Sequence, residues 1–423
     1  MRKTPHSRRL ITAAASLFLI PAAFADDYAD ARAEMVAAYQ ASEFETMEAA
    51  AKRALDARPG YPGALFNLAM AQVLNDRAYA ALSTLERLAA QQIDFGVAGM
   101  DEFEAVRATP GWAAYTDRVD RLRGPVGSAS VAFTYDADAF VPEGIAIDAE
   151  GALYLGSIRN GDIVRIDASG AETVSTAADA GHWSVYGMRL VDDTLWYVSS
   201  AIEQFAGETG DAAGSNGLFA LDTRTGQAEL KAALPKNDGW QVLGDFVIAD
   251  DGTFFLSDQT DGVVYRYDAA SEEFAAVTER GAIRSPQGLV IADAQTLYVA
   301  DYIGGLYRVD LATGGLTRVS APDDTSLYGI DGLYGYGDAL IAIQNGIRPN
   351  RVVRLELSED GLEVTASRIL AMNLEHFDEP NLGTVVGDRF YFIANSHWNR
   401  FDRDGELPEG LAGPVVLRLE LDD

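Results

Sequence analysis

SPQGLVIADAQTLYVADYIGGLYRVD, residues 285–310, holds three short strand-like runs parted by polar turns, and its middle run carries the adjacent pair Leu297-Tyr298. Short apolar runs bounded by turn residues read as β-strands. The same layout recurs along the chain. Leu153-Tyr154, Leu195-Trp196, Phe254-Phe255, Leu340-Ile341 and Phe390-Tyr391 are matching pairs, each preceded by an alternating strand and a polar turn such as DAEG, VDD, ADDG or GYGD. Most are followed by a further strand ending in an acid: DIVRID, GLFALD, VVYRYD and GLYRVD. Four strands in a unit of about 40 to 50 residues are the pattern of a β-propeller, and six units are counted. SASVAFTYD (128–136) precedes the first and alternates Val131, Phe133 and Tyr135. Pairing beside GPVVLRLEL near the C-terminus would close the ring and remove an exposed edge.

Upstream the period changes. Ala31, Met35 and Tyr39 mark one helical face, Phe44, Met47, Ala51 and Leu55 a second, Leu65, Leu68, Ala69 and Val73 a third, and Leu82, Leu85, Leu88 and Ala89 a fourth. A shift of 34 residues lays Ala31 on Leu65, Met35 on Ala69, Met47 on Ala81 and Ala51 on Leu85. That period resembles tetratricopeptide helical hairpins, without their usual Trp and Tyr. DEFEAVRATPGWAAYTDRV (101–119) predicts a capping helix pair, and GPVGS (124–128) ends the helical part. The helices serve either as a cap packed on their neighbour or as a groove for a protein partner.

The expected organisation is a signal peptide at 1–25, an α-helical domain at 26–124 and an all-β six-bladed propeller at 125–423. The leader has a basic start, an apolar run from Leu10 to Ile20 and Ala23-Phe24-Ala25 as a cleavage site. Its apolar run is too short for a permanent span, and Ser7-Arg8-Arg9 resembles a twin-arginine signal, so a periplasmic or secreted protein is expected by either export route. Loss of Arg2, Lys3, Arg8 and Arg9, with no acid among the first 25 residues, takes the formal charge from −31 to −35. Such a surface repels nucleic acid and anionic lipid and concentrates cations. With no cysteine, disulfides and thiolate metal sites are excluded.

The innermost strands of a propeller converge on its axis. Aligning the blades on their hydrophobic pairs places Glu143-Gly144, Tyr186-Gly187, Gly244-Asp245, Gln287-Gly288 and Asp331-Gly332 at one topological position, with Asn381, Leu382 and Gly383 as alternatives in the sixth blade. Carboxylates facing each other across a channel repel unless a proton or a cation lies between them. Calcium takes six to eight oxygen ligands, so Glu143, Gln287 and Asp331, with Asp245 one residue on, are candidate ligands for calcium or another divalent cation. Each alone also reads as ordinary turn chemistry.

PEGIAIDAEGALYLGSIRNGDIVRID, SPQGLVIADAQTLYVADYIGGLYRVD and GIDGLYGYGDALIAIQNG resemble the propellers of the senescence-marker-protein, gluconolactonase and paraoxonase superfamily, over about residues 128–423. The resemblance implies a catalytic divalent cation, usually calcium, and hydrolysis of lactones or esters, with a metal-binding Glu at Glu143, an Asn position at Gln287 and the metal-binding, catalytic Asp at Asp331. Gly244 stands where the family offers Asn, and Tyr186 where some members carry His. Asp331 is thus the candidate base, Tyr186 a candidate substrate contact, and His182 and His397 candidates for acid, base or substrate contact at the mouth, each set against a plain strand-end role. The rival expectation is a non-catalytic, metal-stabilised propeller that binds or scaffolds. GxSxG, HExxH and phosphate-loop motifs are absent.

Overall fold

Each recurring hydrophobic pair lies on the second strand of a four-stranded antiparallel sheet, and six such sheets make the propeller. The computed structural model describes residues 27–137 and 139–422, so the leader lies outside the described residues. The innermost strands are Pro142–Ile147, Ser184–Val191, Leu243–Ile248, Pro286–Asp293, Ile330–Tyr336 and Gly383–Val386, for blades 1 to 6 in order.

Adjacent strand residues point to opposite faces, and that is why the signature is a pair. The first member packs towards the preceding blade and the second towards the following one. Leu297 joins Phe255 and Val264 of blade 3, whereas Tyr298 joins Leu333 and Leu340 of blade 5. Leu153 meets Ile393 and Val416 of blade 6, and Tyr154 meets Val185 and Tyr197 of blade 2. The same division holds for the other four pairs, giving one apolar cluster in each of the six clefts between blades. Ring closure follows the expectation: Ser130–Thr134 pairs antiparallel with Val415–Glu420, Phe133 opposite Val416, so both chain ends build blade 6.

The N-terminal part is helical. α1 (Asp27–Ala41), α2 (Phe44–Ala57), α3 (Pro62–Leu74) and α4 (Ala78–Ala90) precede the short α5 (Glu104–Arg107) and α6 (Trp112–Arg121). Pro62 opens α3 at its first turn, where the missing N–H costs nothing. The predicted faces are buried except at Phe44 and Leu55, which are half-buried, and at Tyr39, which stays exposed towards the end of its helix. No described helix is long and apolar enough to cross a membrane.

The helices sit against blades 4 and 5. Tyr328 Oη donates to Pro59 O at 3.0 Å while its ring packs on Tyr61, and Arg58 Nη1 donates to Ile303 O at 3.1 Å. Ile347, from the loop after the second strand of blade 5, is buried in the helical core beside Leu85, Leu88 and Ile93.

Candidate active site at the propeller axis

The positions aligned by sequence fall at one recurrent irregularity. In blades 1 to 5 the register of the innermost strand shifts between Pro142 and Ile145, Val185 and Met188, Leu243 and Phe246, Pro286 and Leu289, and Ile330 and Leu333. Each shift is a β-bulge, which leaves the ladder and re-aims a side chain. Glu143, Tyr186, Asp245, Gln287 and Asp331 lie in these bulges. In the sixth blade the ambiguity resolves to Asn381, fully buried just before its inner strand.

Glu143 is buried, and its Oε2 accepts from Trp398 Nε1 at 2.6 Å and from Asn381 Nδ2 at 2.5 Å. Burial, with the charge of Asp331 and then of Asp245, pushes its carboxyl well above the usual carboxylate range, against the two donors. Asp331 is held differently. Asn345 Nδ2 donates to its Oδ2 at 2.6 Å, and burial first, then the charges of Glu379 and Asp245, raise it as well. No lysine or arginine pairs with either acid among the described residues.

Asp245 departs from the expected pattern. Arg189, on the inner strand of blade 2, lies 3.0 Å from its Oδ1 and donates to Oδ2 at 3.1 Å, while Phe246 N donates to Oδ1 at 2.9 Å. Burial still raises this acid against the opposing pull of Arg189 and the Phe246 amide, so it shapes the field of the site without offering a free carboxylate. Gln287 is buried with its carbonyl turned to Gln259, whose Nε2 donates to Oε1 at 2.5 Å, and its own Nε2 donates to Ser285 Oγ at 3.1 Å. One lone pair of that carbonyl is left, because an amide oxygen accepts two bonds.

Tyr186 is buried next to Glu143, its ring centroid 6.3 Å from that of Trp398, and the neighbouring acid and burial keep its hydroxyl protonated. The two candidate histidines do not join this group. His182 is buried with Nδ1 2.7 Å from Tyr197 Oη and Nε2 2.6 Å from Gly161 O, and burial lowers it to about 4. With both ring nitrogens engaged, it ties two blades together. His397 is also buried, in the left-handed region with φ 64°, and its Nε2 lies 2.8 Å from Ala412 O. His182 is thus engaged at both nitrogens, whereas His397 Nδ1 is buried without a hydrogen-bond partner.

Several members of the site escaped sequence reading. Gln259 and Asn345 each directly follow the second strand of their blade, Phe254–Asp258 and Ala339–Gln344, Trp398 comes from a loop outside the repeat, and Arg189 from an inner strand. Glu379, mostly buried at φ 63°, accepts from Asn399 N at 2.8 Å and sends its field onto Asp331. Only the run DEPN at 378–381 hinted at it, as an acid beside the sixth-blade position.

The site's donors can be tested against the cation that the sequence resemblance implies. Among the described residues no three His, Asp or Glu side chains come together closely enough to hold a metal by themselves. Amide oxygens fill that gap: Asn345 Oδ1 and Asn381 Oδ1 are buried without a hydrogen-bond partner, each on the residue that donates to one of the two carboxylates. Buried orphan oxygens beside two unpaired acids suit a hard cation, which takes carboxylate and carbonyl oxygens alike.

A family model described as strictosidine synthase-like, N-terminal, matches residues 130–166, and one described as outer membrane protein assembly factor BamB matches residues 191–317. No curated protein matches the chain. Among solved structures, the chain is similar to the PQQ-bound aldose sugar dehydrogenase of Streptomyces coelicolor, at 15% identity over 70% of this chain and 98% of that one, with a TM-score of 0.49. It is similar to the calcium-binding protein regucalcin of Agrobacterium tumefaciens, at 16% identity over 69% and 93%, with a TM-score of 0.49. The virginiamycin B lyase of Staphylococcus aureus shares 13% identity over 70% and 100%, with a TM-score of 0.46.

Proposed function

We propose that this chain is an exported, divalent-cation-dependent hydrolase of lactones or related esters, related to the senescence-marker-protein and gluconolactonase group. One observation carries the reading: Glu143, buried, and Asp331, half-buried, are carboxylates without a cationic partner among the described residues, and each is held by an asparagine whose own amide oxygen is orphaned. Burying two such charges is costly unless something neutralises them.

Glu143, Asp331, Asn381, Asn345 and the remaining lone pair of Gln287 would hold calcium or a similar ion. Bound there, it would polarise a carbonyl and stabilise the developing oxyanion. The protein's own groups supply the rest. Asn345 fixes the Asp331 carboxylate by one oxygen, and no described donor reaches the other. A raised proton affinity makes Asp331 a suitable acceptor for the proton of an attacking water. Trp398 and Asn381 hold Glu143 in one rotamer, and Tyr186 offers a protonated hydroxyl beside it to orient the substrate.

A second reading has its own support. Arg189 occupies Asp245, and Gly244 removes the third-blade donor, which favours a cation-stabilised binding module without turnover. The experiment is direct. Purified protein loaded with calcium is assayed on lactones and aryl esters, with and without chelator, beside Glu143→Ala and Asp331→Asn. The expected result is one bound cation, turnover lost on chelation, and a roughly 10²–10⁴-fold fall in kcat for Asp331→Asn. Cation binding without turnover of any ester selects the binding module. Neither binding nor turnover removes both readings.

A further inference from the structure

The helical domain has a structural route to Asp331. Three loops at the same end of blades 4 and 5 meet it, and each runs straight into the site. The first follows the second strand of blade 4: Arg58 of α2's C-terminal end donates to Ile303 O, one residue from Tyr302, whose backbone oxygen accepts from Gly329 N at 2.8 Å. The second precedes the inner strand of blade 5: Pro59 O accepts from Tyr328 Oη, three residues before Asp331. The third is the loop 345–350. It begins with Asn345, which holds the Asp331 carboxylate, and two residues later Ile347 enters the helical core.

That third loop is fastened along its length. Asp94 N donates to Arg348 O at 3.0 Å. Arg351 is buried, and its Nη1 donates to Gln91 O at 3.1 Å and Gln92 O at 3.2 Å, just past the end of α4. Its Nε donates to Gln344 Oε1 at 2.7 Å, and Gln344 Nε2 donates to Ser326 O at 2.8 Å and Tyr328 O at 3.0 Å. The guanidinium therefore links the helices to both loops that flank Asp331. Gly346 leaves no slack, since a Cβ there would lie 2.7 Å from the Tyr302 ring.

We propose that the helical domain is a clamp that sets the position of Asp331 through the 345–351 loop, with Ile347 and Arg351 as positioning residues. This rests on the reading of Asp331 as a cation-binding carboxylate. Residues that orient a ligand are worth about 10–100-fold in metal affinity, so the clamp should be visible in binding even where the fold survives.

The full mature chain is used, with calcium alone as the probe in calorimetric titration. Ile347→Ala should weaken calcium about tenfold, and Ile347→Val should restore most of it. Leu68→Ala, which removes a buried side chain from the α1–α3 core away from the propeller, should lower the Tm while leaving calcium affinity unchanged. Wild-type affinity in Ile347→Ala, or an equal loss in Leu68→Ala, overturns the clamp. Should the wild type bind no calcium, the cation reading fails separately, and hydrogen exchange then decides. Faster exchange of residues 329–334 and 344–351 in Ile347→Ala, with 143–147 unchanged, supports the clamp, and unaltered exchange overturns it.

Discussion

Four acids, three buried and Asp331 half-buried, show how differently this chain accommodates a charge taken from water. Asp301 accepts three backbone N–H groups, from Arg284, Ser285 and Ile303, and serves to shape a loop. Asp245 is matched by Arg189. Glu143 has two neutral donors and Asp331 one, and both are raised by burial and by other acids. In the absence of a cation, the native protein therefore holds protons that the unfolded chain, with ordinary carboxyls near 4, has released. Native-state stability from this source is complete below that range and is lost as pH rises through the raised values. With chelator present, unfolding free energy should fall between about pH 5 and pH 8, with a slope approaching about −1.4 kcal/mol per pH unit for each proton fully retained. Saturating calcium should remove the fall, because the cation replaces the proton, and calcium affinity should itself rise with pH. Denaturant titrations across that range, beside the Glu143→Gln/Asp331→Asn double variant, check this. A chelated wild type as flat as the double variant would contradict it.

At the scale of the element, the decisive device is the bulge followed by glycine. A Cβ on Gly288 would lie 2.4 Å from Leu333 N and 2.8 Å from Asp331 O, and one on Gly144 would lie 2.2 Å from Tyr186 O. At these two positions the inner strands touch backbone to backbone, so only glycine fits, whereas blade 3 has Asp245 at the equivalent place. Gly244 lies one position earlier, at the place of Glu143 and Gln287, and there the obstruction is Gln259 Nε2 at 2.0 Å, the end of a side chain. Gly288→Ala should thus destabilise by about 3 kcal/mol or more, at the upper end of overpacking costs. Gly244→Ala should cost less than about 1.5 kcal/mol in stability while breaking the Gln259–Gln287 hydrogen bond. Chemical denaturation of both variants measures the contrast, and equal losses would refute it. The same device explains what the sequence disclosed. Every bulge keeps a similar distance to the hydrophobic pair, so counting back from the pair finds Glu143, Tyr186, Gln287 and Asp331. The sixth inner strand is only four residues long, which is why Asn381 stayed ambiguous. Gln259 and Asn345 each stand five residues after the first member of their hydrophobic pair, a periodic position that a search for acids before the inner strands passes over, whereas Trp398 lies on a loop outside the repeat, and the ion pair that occupies Asp245 depends on Arg189 reaching across from the neighbouring blade.

For the whole molecule, the alternation that sends one residue of each pair to either neighbour makes every blade depend on two others. A ring of six separate sheets is closed by strand pairing only while its first strand stays paired with its last. That strand, Ser130–Thr134, is short and its outer face is exposed, with Val131 48% accessible. Phe133 carries the join: it lies opposite Val416 and packs into the cluster between blades 6 and 1. Phe133→Pro removes both an amide and a half-buried ring. The expected loss is about 2–3 kcal/mol, roughly half the cost of deleting a fully buried phenylalanine plus one ladder bond. Val131→Ala, on the exposed face of the same strand, should stay within about 0.5 kcal/mol of wild type. Releasing the strand also bares the edge of Val415–Glu420, and an unpaired edge recruits other chains. Phe133→Pro should therefore lower the Tm and shift the protein towards larger species in light scattering, whereas Val131→Ala should do neither. A Phe133→Pro protein with wild-type Tm and size would show that the ring is held shut by the clefts between blades alone, with the terminal strand as a passenger.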